Sequence, residues 1–374
     1  MKKVIVSVTN DLSTDQRVNR HCEALVDMGF DVLLVGRKLK NSVPLTKRRY
    51  ACTRMNLLFS KGALFYAEYN FRLFLFLLFR RFAFLLSNDL DTLLPNFLVA
   101  RLKSKPIVYD SHEFYTGVPE LQSRPAIQKI WTKIESFIFP KLKHVITVNQ
   151  SIAKLYTDLY GNSLAVVRNV PFRKTLPHVT KKEMALPEEK KIILMQGAGI
   201  NVDRGAEEII EALRLLNSES ILFLIVGSGD VISLLKEMVK KYKMEDKVVF
   251  TGKVPMDHLI RYTVLADMGV TLDKDTNVNY RYSLPNKLFD YIQCGVPVLA
   301  SDLVEIRAII EQYQVGEIVS NMEPSYLSQK MANFLNNESK LAEYKRNALK
   351  AAEELCWEKE KIKFEQVISN VVKA

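Results

Sequence analysis

The residues best arranged to do chemistry lie in Ser283–Gly295, SLPNKLFDYIQCG, just ahead of the apolar run VPVLA. Ser283 reads as a helix N-cap, Pro285 suits a first turn, and Gly295 suits the residue after the last turn. Asn286 and Asp290 are four apart and share one face with Lys287 beside them, while Leu288 and Ile292 point to another side with Tyr291. Helix N-terminal amides beside a lysine suit a diphosphate, and Asp290 can accept two hydrogen bonds from a vicinal diol such as a ribose. The same pattern also fits an amphipathic helix with a solvated polar face, and physics alone leaves both readings open.

A second constellation is QGAGINVDRG, Gln196–Gly205, between a strand and the helical run Ala206–Leu215. Gly197 and Gly199 let backbone approach a phosphate, Asn201 lies in the same turn, and Arg204 could neutralise the charge. The spacing is not GxGxxG, and an ordinary loop is the other reading. Gly227-Ser228-Gly229 is a weaker version of the same turn. The third constellation is Tyr109-Asp110-Ser111-His112-Glu113, a histidine between two carboxylates at the end of a predicted strand. It suits contact with reacting groups, or else a histidine held by local loop hydrogen bonds. The chain carries no HExxH, Walker loop or Ser/His/Asp order.

These segments need a scaffold. At 374 residues, two domains are the expectation, and 48% hydrophobic with 25% charged residues is the composition of a folded protein. Strand runs are expected at Val4–Thr9, Val32–Gly36, Pro106–Tyr109 and Val145–Val148, and again at Lys191–Met195, Ile221–Val226, Val248–Thr251, Met268–Leu272 and Val296–Ala300. Helical patterns alternate with them, the first beginning near Ser13 or Thr14 and stopping at Gly29. The fold class is therefore α/β: two Rossmann-like, doubly wound parallel-sheet domains, with ligands expected at strand C-terminal ends facing a central cleft. The boundary falls near Val166–Pro177, in a basic, proline-bearing stretch, which divides the chain into residues 1–168 and 169–356.

Four scattered cysteines with no CxxC pair, and a start too short for a signal peptide, point to a cytoplasmic location. The net charge is +11, and Leu33–Ala67 holds eight basic residues and no acidic one. Phe71–Leu86, FRLFLFLLFRRFAFLL, is apolar nearly all round but too short to span a bilayer. Two readings remain: a helix buried on most sides, or a helix whose arginines meet lipid headgroups. Arg37–Leu86 is thus a candidate contact with an anionic membrane surface, on the inner face of the cytoplasmic membrane. Basic motifs interleaved with aromatics are absent, so nucleic acid is not an expected partner.

Taken together, VTNDLSTDQRVNRHCEAL, NDLDTLL, VYDSHE, VITVNQSIAKLY, QGAGINVDRG and SLPNKLFDYIQCGVPVLASDL resemble the retaining glycosyltransferases of family 4, bacterial "group 1" enzymes with the GT-B fold. The resemblance runs nearly the full length and is most specific in the last motif. It implies an N-terminal acceptor domain, a C-terminal nucleotide-sugar domain, and a terminal helix, residues 357–374, packed back on the first. It assigns His112, Arg204 and Lys287 to catalysis. It assigns Asp290, Gly197, Gly199, Asn201, Ser283, Leu284 and Asn286 to the donor, with Asp290 on the ribose and Ser283 and Leu284 offering amides to phosphate. Asp15, Arg17, Asp110 and Glu113 fall on the acceptor side.

Two positions depart from the family pattern: Tyr282 stands where a glutamate is usual, and Gly199 where a phosphate-binding arginine is. The implied reaction moves a sugar from a nucleoside diphosphate, UDP or GDP, to an acceptor hydroxyl with retention. No cofactor and no metal are implied. The implied acceptor is a carbohydrate or lipid-linked molecule in polysaccharide, envelope-glycan or glycolipid synthesis. A sugar-nucleotide epimerase or phosphorylase of the same fold, and a non-enzymatic basic membrane-surface module, are the competing readings.

Overall fold

The computed structural model describes residues 1–13 and 15–373, so Thr14 and Ala374 lie outside the described residues. The chain forms two compact units: Met1–Asn169 together with the C-terminal segment from Lys359, and Val170–Glu358. In the first, seven strands are ordered β3-β2-β1-β4-β5-β6-β7. They are β1 Lys3–Ser7, β2 Asp31–Lys38, β3 Ala51–Asn56, β4 Phe84–Asn88, β5 Ile107–Ser111, β6 His144–Thr147 and β7 Ala165–Val166. In the second, six strands are ordered β10-β9-β8-β11-β12-β13. These are β8 Lys191–Gly197, β9 Ile221–Gly227, β10 Val248–Gly252, β11 Met268–Thr271, β12 Val298–Ser301 and β13 Gly316–Val319.

Every strand pair is parallel, as the strand–helix alternation requires. Central strands such as Val4–Val6 and Ile192–Met195 read as unbroken apolar runs because helices cover both faces of the sheet. The winding reverses between β1 and β4 in one sheet and between β8 and β11 in the other. Loops at the carboxyl ends of these strands splay apart there, which is where open α/β sheets take ligands.

Three strands lack the run that would announce them. β3 and β13 are half-exposed sheet edges, so their sequences, ACTRMN and GEIV, are only partly apolar. β4 hides inside the long apolar stretch. Phe71–Leu86 is not one helix: the helix Gly62–Leu78 ends there, and Phe84–Asn88 is a buried strand. On that helix Phe65, Tyr69, Leu73 and Leu77 are buried against the sheet, whereas Phe71 and Leu75 are exposed. The first helix, Gln16–Asp27, is capped not by Ser13 but by Asp15, whose Oδ1 accepts from the Val18 N–H at 3.0 Å. The terminal helix, Trp357–Lys373, stacks Phe364 on His21 with ring centroids 4.3 Å apart.

Two glycine loops close the carboxyl edge of the second sheet. The Ser228 N–H donates to Gly197 O at 3.1 Å, and the Ile200 N–H to Ser228 O at 2.9 Å. The approach is so close that a Cβ on Gly229 would sit 1.8 Å from Ile200 O. A Cβ on Gly199 would meet nothing nearer than Asn201 Nδ2 at 3.8 Å. Gly229→Ala is therefore expected to cost about 1–3 kcal/mol and several degrees of melting temperature, with Gly199→Ala close to wild type. Equal melting temperatures for the two variants in thermal denaturation would show that the loops do not pair this way.

Candidate active site

In the second unit the site is built around Asp273, which follows β11 and is fully buried. Arg204 Nη1 donates to its Oδ2 at 2.8 Å, and Lys287 Nζ lies 3.8 Å from its Oδ1. Arg204 reaches it because Gly205, at φ +81°, brings the loop against the end of β11, where a Cβ would fall 2.6 Å from Leu272 O. The Arg204 guanidinium also lies 4.2 Å from the centroid of the Tyr280 ring. Lys287 comes from the first turn of the helix Asn286–Gln293. Burial pulls the Lys287 ammonium below its ordinary range, Asp273 opposes that shift, and Arg204 adds to it. Two cations thus share one carboxylate, leaving a surplus of positive charge beside a helix N-terminus.

One turn further along, Asp290 Oδ1 accepts from Lys174 Nζ at 2.6 Å and its Oδ2 from Gln196 Nε2 at 3.3 Å. Gln196 Oε1 in turn accepts from Thr263 at 2.8 Å. Tyr291, seated against Gly269, donates to Leu194 O at 3.0 Å and accepts from the Gln196 N–H at 3.3 Å. The helix carrying Asp290 is therefore tied to the end of β8, where Gly197 opens the glycine loop at φ +149°.

The helix start departs from expectation. Its N-cap is Pro285, not Ser283. The Ser283 N–H is spent on Tyr280 O at 3.1 Å, because a short helix, Val278–Arg281, precedes it. Ser283 therefore does not hold a free amide for phosphate. Leu284 is half-buried against the core, and Asn286 is exposed in the first turn. Asn201 accepts from the Asp230 N–H at 3.2 Å, which ties down the glycine loop. Asp273 and Lys174 escaped the sequence reading; the one signal was an acidic residue directly after a strand run.

In the first unit the centre is Asp110, in β5 and fully buried. Arg17 grips it with Nε to Oδ2 at 2.9 Å and Nη2 to Oδ1 at 2.6 Å, and also donates to Val167 O at 2.8 Å. His21 Nδ1 lies 3.1 Å from Asp110 Oδ2. His112 stands between two carboxylates, Nε2 at 3.2 Å from Asp110 Oδ2 and Nδ1 at 3.1 Å from Asp89 Oδ2. Its backbone N–H also donates to Asp89 at 2.9 Å. Asp89 follows β4 in the NDLDTLL motif, and its part was not foreseen.

Burial alone would lower the pKa of His112, but Asp89 and Asp110 outweigh it and hold the imidazolium well above the ordinary value. Burial takes His21 the other way, to about 4. Arg17 and Asp110 are too deeply buried to meet an acceptor and instead position His112. Asp15 is occupied as a helix cap and by Asn10 Nδ2 at 2.7 Å. Glu113 is exposed, and its carbonyl accepts from Ser111 at 2.7 Å.

Residues 179–351 match the family described as "Glycosyl transferases group 1", and residues 15–170 match "Glycosyltransferase Family 4". The chain belongs to the group 1, family 4 glycosyltransferases. Over 192 residues this family member is 23% identical to the chitobiosyldiphosphodolichol beta-mannosyltransferase of Candida albicans, covering 47% of this chain and 41% of that protein. The curated relatives it matches are covered over 41% to 64% of their own lengths. Among solved structures, sucrose-phosphate synthase from Thermosynechococcus elongatus has a TM-score of 0.81 at 16% identity, with both chains fully covered. Anabaena HepE, solved with UDP-glucose, has a TM-score of 0.74 at 13% identity, again with full coverage of both. These likenesses bear out the GT-B fold.

The His112 cluster has a pH signature in this glycosyltransferase. A histidine whose folded pKa is raised stabilises fully below its unfolded value of 6.5 and loses that contribution as pH rises through the folded pKa. The stability difference between wild type and His112→Gln is therefore expected to shrink on the alkaline side of neutrality. Imidazole nitrogen shifts in NMR should report His112 titrating above the ordinary histidine value, with Asp89→Asn moving its titration downward. A neutral His112 ring at pH 7 would contradict the assignment.

Proposed function

We propose that this protein is a retaining glycosyltransferase that moves a sugar from a nucleoside diphosphate, UDP or GDP, to an acceptor hydroxyl. The observation that carries the reading is the Asp273 cluster. Arg204 and Lys287 are fixed about one buried carboxylate at the start of a helix, and Asp290 presents a carboxylate one turn beyond. As the bond from the anomeric carbon to the phosphate oxygen breaks, the diphosphate gains charge. Preorganised cations that need not move are then worth most. Asp290 takes the ribose hydroxyls, with Lys174 and Gln196 holding its orientation.

On the acceptor side, His112 sets a cationic ring beside the substrate bound by the first unit, with its two nitrogens held by Asp89 and Asp110. Charge stabilisation rests on side chains and amides, so the reaction is proposed to run without a metal. The complex of HepE with UDP-glucose supports a UDP donor, and the dolichol-linked substrate in the name of the Candida relative supports a lipid-linked acceptor. Polysaccharide, envelope-glycan or glycolipid synthesis is the proposed setting, with the protein peripheral on the cytoplasmic face of a membrane. No helix among the described residues is long and apolar enough to cross a bilayer.

Donor hydrolysis and transfer assays test the reading. Arg204→Ala is expected to lower kcat roughly a hundredfold, the usual cost of removing one preorganised donor to a developing anion. Asp290→Ala is expected to weaken donor use chiefly through KM. Activity within a few-fold of wild type in both variants would overturn the assignment.

A further inference from the structure

In the basic stretch Leu33–Ala67 the four arginines are engaged by the protein itself, whereas Lys38, Lys40 and Lys47 are exposed. Arg37 donates to Ser60 O at 3.0 Å and lies 4.2 Å from the centroid of Phe65, while Arg48 donates to Tyr50 and to Leu12 O at 3.0 and 2.6 Å. Arg49 pairs with Glu23 and Asp27, and Arg54 donates to Val43 O at 2.9 Å. A different part of the first unit holds uncompensated charge. At the amino ends of β1, β4, β5 and β6 lies a groove of about 1080 Å³ with no Asp or Glu in its lining. Lys2, Arg81, Arg101, Lys105, Lys141 and Lys143 line it, and among the described residues none of the six pairs with a carboxylate. Lys3 also lines it, paired with Asp31 at 3.1 Å.

This groove is at the opposite edge of the sheet from Asp89 and His112, about one strand length away, on the order of 15 Å. Its floor is apolar, with Phe82, Phe84 and Phe97. Beside the charged residues stand large apolar side chains facing water: Phe79 is 81% exposed, Leu102 67% and Phe137 57%. Lys141 Nζ lies 3.2 Å from the centroid of Phe137, whose ring also meets Phe97 edge-on. A soluble polyanion would use the charges and leave these rings and leucines exposed. An anionic bilayer uses both, with phosphates drawn to the lysines and arginines and the apolar groups entering the interface.

We infer that this groove and its apolar rim dock the protein onto anionic phospholipid, and that the basic stretch Leu33–Ala67 does not. The inference rests on the peripheral-membrane part of the proposed function and relocates it. Co-sedimentation tests it, using vesicles of phosphatidylcholine with phosphatidylglycerol in about equal parts, and of phosphatidylcholine alone. Arg101→Glu/Lys105→Glu/Lys143→Glu is expected to weaken binding to the anionic vesicles by roughly a hundredfold or more. Lys38→Glu/Lys40→Glu/Lys47→Glu makes the same change in net charge on exposed lysines of the other stretch. Its loss is expected to stay within a few-fold.

Lys105→Glu alone changes one exposed side chain and guards against misfolding; it too should weaken binding by several-fold. Equal losses in the two triple variants would overturn the inference, as would equal binding of the wild type to neutral vesicles. Tighter binding to single-stranded RNA than to anionic vesicles would overturn it as well. UDP binding, measured on the same preparations, should be unchanged by the groove substitutions. Wild type that binds vesicles but not UDP would strike the donor assignment and leave the groove standing.

Discussion

A buried carboxylate cannot stay ionised without compensation, and the Asp273 site is organised around that constraint. Arg204 and Lys287 come from elements far apart in sequence, a glycine loop after β8 and the helix after β11. Asp273 draws them to one point at the end of the sheet. Breaking a buried ion pair by removing one partner is costly, so the cluster is self-enforcing once formed. It also leaves more positive than negative charge, a surplus that the proposed diphosphate donor would complete. Gly205 and Gly269 make the geometry reachable, the first by letting a loop touch β11 and the second by seating Tyr291 under the helix.

The first unit uses the same physics, again with a buried carboxylate at the centre. Asp110 is buried among Arg17, His21 and His112, and Asp89 closes the ring from the next strand. The two histidines face the same carboxylate, Asp110, yet are driven apart: burial takes His21 down, whereas a second carboxylate holds His112 up. One ring is thereby a neutral stacking partner for Phe364, and the other is held toward its cationic form. Each sheet thus carries a charged cluster at the carboxyl ends of strands beside the point where its winding reverses.

Much of this was legible in the chain. Unbroken apolar runs at β1, β5, β8, β9 and β11 announced parallel strands, and the turns that follow them carry His112, Arg204 and Lys287. What the residues hid were relations made only by folding. Edge strands β3 and β13 lack an apolar run, and β4 was merged with the helix before it because Phe and Leu serve both. Ser283 looked like a cap, but the turn Val278–Arg281 takes its amide, a hydrogen bond that spacing does not reveal. Asp273 and Lys174 carry no motif of their own, and nothing in NDLDTLL marks Asp89 as a partner of His112. Their importance comes from burial and from partners up to 116 positions away in sequence.

The central claim is that the Asp273 cluster recognises a diphosphate rather than a nucleoside. Calorimetric titration of the wild-type protein with UDP, UMP and uridine at fixed salt measures that directly. The account predicts that UDP binds at least about tenfold more tightly than UMP, that uridine is weaker still, and that the UDP advantage shrinks as salt rises. Equal affinities for the three ligands, or a UDP advantage insensitive to salt, would contradict it.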